Sequence, residues 1–172
     1  MRLDGSRRQS GMTLIEVLVS VLILGIGLLG AAAIQLNALK YTDSSTMASQ
    51  ATFIAYDMMD RIRANVDGNA SSNGVTDVLS TYAISATDAA PVASMNNARN
   101  QDLADFKANI LTFGGSSATG SIVVAKPVVT ITITWDDTRA ITGNDSVRAS
   151  NPGSSMRTFS ISSRIGVNAV TP

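Results

Sequence analysis

From Val17 to Leu39 the chain carries no charged residue. At about 1.5 Å per helical residue, this run makes roughly 34 Å of helix, enough to cross a hydrocarbon core of about 30 Å with some tilt. A short leader, Met1 to Gly11, precedes it and holds Arg2, Arg7 and Arg8 against Asp4, while the next basic residue after the run begins is Lys40. The positive-inside bias then keeps the N-terminus cytoplasmic and places everything after the run across the membrane. Glu16 is the anomaly. A carboxylate just inside an apolar segment costs on the order of a few kcal/mol in lipid unless it lies near the interface or is paired, so its position asks for a partner.

Beyond the run the pattern becomes amphipathic. Met47, Ala51, Ile54, Met58 and Ile62 recur at the spacing of one helical face, and Asp57 and Arg61 form an i,i+4 pair in the favourable order, which reads as a solvated face. Thr42-Asp43-Ser44-Ser45-Thr46 is a poor helix former where the long helix is expected to bend or restart. The turn-rich stretch from Asp67 to Gly74 ends it. A second, shorter helix is marked by Leu103, Phe106, Ile110 and Phe113, with Gly114-Gly115 as its stop. The clearest strand is Val128 to Trp135, with Val129, Ile131, Ile133 and Trp135 on one side and threonines on the other. Ser121 to Lys126 reads as its partner across Pro127, and Arg157 to Val167 as a third strand with Phe159, Ile161 and Ile165 on one face. The expected fold is α+β: a long N-terminal helix, transmembrane in its first half, packed on a small antiparallel sheet.

Composition removes most chemistry. The chain has no cysteine and no histidine, which excludes disulfides, thiol nucleophiles, the usual zinc sites and histidine acid–base catalysis. Serine-rich stretches lack a suitably spaced base, and no glycine-rich phosphate loop appears. Without the leader, ten basic and twelve acidic residues remain, so there is no footprint for nucleic acid. Asp136 and Asp137, with Asp145 further on, are weak candidates for a metal, but they lack the spacing of a calcium loop and read equally as a polar turn. No cofactor and no enzymatic activity are expected. A length of 172 residues fits one domain plus the anchor.

Two other readings of the N-terminus compete. Ala31-Ala32-Ala33 satisfies the small-x-small rule for a secretory signal cut after Ala33, although the apolar run is longer than the usual 7 to 15 residues, roughly, and contains Glu16. A plain single-pass anchor is the other. Gly25, Gly27 and Gly30 fit a merely tolerant membrane helix as well as they fit close packing or local melting.

The nine residues Gly11-Met12-Thr13-Leu14-Ile15-Glu16-Val17-Leu18-Val19 resemble the class III signal of type IV prepilins and pseudopilins, with methionine where that family usually has phenylalanine. The resemblance implies that a prepilin peptidase cuts between Gly11 and Met12 and methylates the new amine of Met12. It also implies that Glu16 neutralises the positive amino terminus of a neighbouring subunit, which would be the missing partner. Leu24 to Gly30, Gln35 to Lys40 and Ser49 to Asn65, then Thr132 to Asp137, are similar to the PilV family of minor pilins. That likeness divides the chain into a leader (1–11), a transmembrane and assembly helix (12–40), its amphipathic continuation (41–65) and a periplasmic globular α+β domain (66–172). It assigns Val75 to Ser94 to a variable surface loop. It implies a structural subunit that takes part in starting pilus assembly. Its partners would be the peptidase, the major pilin and other minor pilins, the inner-membrane assembly platform, membrane lipid and, as a further candidate, a tip adhesin. Many pilins close their C-terminal region with a disulfide and many major pilins carry a proline in the apolar helix; this chain has neither device. A minor pseudopilin of type II secretion and a membrane-anchored extracytoplasmic binding module remain alternatives.

Overall fold

A computed structural model of the chain describes residues 11–67, 78–138 and 155–165. Its backbone divides into two compact units, Met1–Lys40 and Tyr41–Pro172. The helix α1 (Leu14–Asp67) supplies the described helical part of the first unit and opens the second. Within the first unit every described residue is exposed, the apolar ones included. Among the described residues α1 is the one helix long and apolar enough to cross a membrane.

The second unit holds the remaining elements: α2 (Val78–Thr81), α3 (Ala98–Gly114), a single 3-10 turn (Gly115–Ser117), β1 (Thr119–Ala125), β2 (Val128–Asp136) and β3 (Met156–Arg164). The three strands form an antiparallel sheet in the order β1-β2-β3. The expected α+β layering of a long helix on a small sheet is therefore what the chain adopts, with α3 as a second cover. Across the sheet, Ile122, Ile131 and Ile161 stand in register, as do Gly120, Ile133 and Phe159. Val129, Ile131, Ile133 and Trp135 are all buried, as the alternation in β2 requires. The opposite face is a ladder of hydroxyls, with Thr130 against Ser162 at 2.8 Å, Thr132 against Ser160 at 3.1 Å and Thr134 against Thr158 at 3.2 Å. These cross-strand pairs keep that face wet without a charge.

Helix α1 does not break at Thr42–Thr46. Within that segment Thr46 Oγ1 donates back to the Thr42 carbonyl (3.0 Å) while Ser44 Oγ donates to Asp137, and one turn on Ser49 Oγ donates to the Ser45 carbonyl (3.0 Å) and Thr52 Oγ1 to that of Ala48 (2.8 Å). The buried stripe also differs from the expected one. Ala51, Ala55, Met58, Met59 and Ile62 are fully buried, whereas Met47 and Ile54 are half-buried. The Asp57–Arg61 pair forms, at 2.8 Å, but it is more than a solvated i,i+4 contact. Arg61 also reaches Asp105 (3.1 Å) and Asp102 (3.4 Å) on α3, so it ties two helices together. Burial works against its charge, yet the carboxylates outweigh that and hold its pKa above the usual guanidinium value.

The stretch Val75 to Ser94, assigned above to a variable surface loop, is partly core. Leu79, Tyr82 and Ile84 are buried, and Ile84 pairs with Ile122 at the edge of β1. The second helix begins at Ala98, where Asn97 caps it by accepting from the Asn100 N–H at 3.1 Å. It ends as expected, with Gly115 at φ 71° in the left-handed region. Gly120 has a packing reason: a Cβ there would overlap Ile110 Cδ1 and lie 3.0 Å from the Phe106 ring, so any larger residue would make these buried side chains of α3 shift. The hairpin between β1 and β2 turns through Lys126-Pro127, as predicted. The third strand stops at Arg164, and Ile165 is buried just beyond it; Val167 and the turn residues 68–74 lie outside the described residues.

Candidate functional site

The sequence places its candidate chemistry where the leader meets α1. Gly11, Met12 and Thr13 are exposed and non-helical, and α1 begins at Leu14. Thr13 starts it. Its carbonyl accepts from the N–H of Glu16 (3.0 Å) and of Val17 (3.3 Å), and its Oγ1 accepts from the Glu16 N–H as well (3.4 Å). This is the N-cap half of a Thr-x-x-Glu capping box, a local pattern that the sequence displays and that the functional reading above did not use. Glu16 lies in the first turn, where a carboxylate favours the positive end of the helix dipole by about 0.3 to 1 kcal/mol. Its own carbonyl accepts from Ser20 Oγ at 2.7 Å.

The side chain of Glu16 is exposed, and no ion pair among the described residues involves it. A Cβ on Gly11 would meet nothing within 4 Å, so nothing in this fold asks for glycine at that position. Met12 is 71% exposed, and the backbone of Gly11, Met12 and Thr13 is non-helical.

The weak metal candidates have other tasks. Asp136 Oδ1 accepts from the backbone N–H of Thr138 at 3.0 Å and from the Thr138 hydroxyl. Asp137 is 3% exposed, accepts from Ser44 Oγ on α1 and faces Arg157 Nε at 3.5 Å, while its N–H donates to the Ser155 carbonyl at 2.8 Å. The two carboxylates thus serve different contacts, a turn and a clasp between α1 and the start of β3. Among the described residues no group of three or more metal-ligating side chains converges. Asp145 lies outside the described residues.

No curated protein and no solved structure matches the chain. Residues 6–32, which hold the Gly11–Met12 bond, the Thr13 cap, Glu16 and the apolar run as far as Ala32, match the family described as the prokaryotic N-terminal methylation motif.

Proposed function

We propose that the chain is a minor type IV pilin of the PilV kind. In this reading a prepilin peptidase removes the leader after Gly11 and methylates Met12, and residues 12–40 anchor the subunit in the inner membrane. The second unit lies in the periplasm. The subunit then joins the major pilin and other minor pilins at the assembly platform, as part of the pilus or of the complex that starts it. The observation that carries the reading is a coincidence of position. The match to the methylation motif covers residues 6–32, and the Gly11–Met12 bond within it, the cut proposed here, is exposed and non-helical and lies ahead of a helix long and apolar enough to span a bilayer. Glu16 fits the same scheme: alone in lipid it is unfavourable, and a neighbour's positive amino terminus would offset that cost.

The test is the mature N-terminus. Intact-mass and N-terminal peptide spectrometry of the membrane-extracted protein should show a chain that begins at Met12 with one methyl group on its amine. A chain that begins at Ile34, cut after Ala33, would instead make the protein a secreted one.

A further inference from the structure

Helix α1 continues without a break past the point where the apolar sequence ends. From Val17 to Leu39 there is no charge, and the next two residues are Lys40 and Tyr41. Both are exposed, Tyr41 by 60%. Among the described residues neither the Lys40 ammonium nor the Tyr41 hydroxyl makes a hydrogen bond or an ion pair, although Asp43 is only three residues from Lys40. The depth at which they stand follows from helix geometry. About 20 residues of helix fill a hydrocarbon core, and counted from Val17 they end at Leu36. The headgroup layer beyond is about 5 to 8 Å deep, or roughly three to five further residues. Lys40 and Tyr41 are the fourth and fifth of these.

The two side chains suit that layer for different reasons. A lysine stem lies along apolar surroundings while its ammonium stays among polar ones. A tyrosine ring has an apolar body and a polar tip, and so favours the level where hydrocarbon meets headgroups. We propose that Lys40 and Tyr41 are the headgroup anchor of α1: the ammonium pairs with the phosphate of a phospholipid, the phenol lies in the same layer, and together they fix how far the helix enters the bilayer. The proposal rests on the reading of residues 12–40 as a membrane anchor. Charge selects the partner. Between Glu16 and Asp43 Lys40 is the one charged residue, and phosphate is the anion that a phospholipid bilayer presents at this depth.

The chain has no cysteine, so single cysteines report depth in the full-length protein. Open membrane fragments, with both faces accessible, are treated with a charged maleimide. Thr42→Cys should react, and Ile26→Cys and Leu36→Cys should not. Removing the anchor, by Lys40→Leu with Tyr41→Leu, lets the helix slide inward. Labelling of Thr42→Cys should then fall to about one-tenth or less, because only the thiolate reacts and apolar surroundings disfavour it. Lys40→Arg with Tyr41→Trp should keep the labelling, since another cation and another amphipathic ring serve the same layer. Undiminished labelling of Thr42→Cys in the leucine variant, or its loss in the arginine–tryptophan variant, would overturn the anchor. So would a Leu36→Cys that reacts as fast as Thr42→Cys, or a Thr42→Cys that does not react with Lys40 and Tyr41 in place. Labelling of Ile26→Cys would overturn the membrane reading, and the anchor with it, so the two failures are told apart.

Discussion

Tyr82 shows at the scale of one residue how much of the core is polar bookkeeping by geometry. Its ring is fully buried, and its hydroxyl donates to Asp102 Oδ2 at 2.7 Å and accepts from Asn65 Nδ2 at 2.6 Å. Burial first, and then the bond to Asp102, raise its pKa above the ordinary tyrosine value. The folded chain therefore keeps a proton that the unfolded tyrosine releases near pH ~10, so its contribution to stability is present below that pH and is lost as pH rises further. Tyr82→Phe should cost about 1 to 2 kcal/mol at neutral pH, because Asn65 and Asp102 each lose a partner. The gap to wild type should narrow above pH ~10 in urea unfolding of a form that begins at Tyr41; a gap that does not change with pH would mean that neither burial nor Asp102 holds the phenol proton in the fold. Lys107 runs the other way. Burial lowers its pKa, against the pull of Asp88, so its contribution rises with pH in the window just below the ordinary lysine value. Its burial was not read from the sequence, where a lysine is expected at the surface, although 107 lies on the same helical face as 103, 106 and 110. Its partners were not legible either, because the carbonyls of Ser85, Ala86 and Gly120 reach it only through the tertiary fold.

Among the elements, those with a long period announced themselves. β2 alternates over nine residues, and the structure buries its apolar side as the pattern asks. α3 shows its stripe and its glycine stop. In α1 the face was right but its centre was displaced, because Ala55 and Met59 lie beside Ala51 and Met58 and the sequence does not say which flank the sheet will cover. Ile131→Asp should accordingly unfold the second unit, with a loss of roughly 3 to 5 kcal/mol from an unpartnered buried charge. Ile54→Asp should cost less, about 1 to 2 kcal/mol, since Ile54 is half-buried and its carboxylate can reach water. Thermal melting of both variants in the form that begins at Tyr41 measures the difference, and equal losses would place Ile54 in the core. The stretch around α2 was illegible for a physical reason. One helical turn and one isolated bridge are each shorter than the period that would reveal them, so Leu79, Tyr82 and Ile84 read as scattered apolar residues in a loop.

For the whole molecule, the family match falls where the sequence signal is contiguous: charge, glycine, carboxylate and apolar run follow one another within residues 6–32. Glu16→Ala separates the two tasks proposed for that segment. It should still insert and still be cut after Gly11, since the helix loses only about 0.3 to 1 kcal/mol of dipole interaction. It should be recovered with sheared pili at about one-tenth of wild type or less, since a charge left without its partner in low dielectric costs on the order of 3 to 5 kcal/mol. Undiminished recovery at equal expression would show that Glu16 is not an assembly contact. The Thr13 cap bears on the step before assembly. The hydrogen bonds that open α1 start from Thr13 and run away from the leader. A cut between Gly11 and Met12 leaves every one of them in place. In the proposed processing, removal of the leader and initiation of the helix would be separate events, the second already set by the hydrogen bonds that Thr13 accepts.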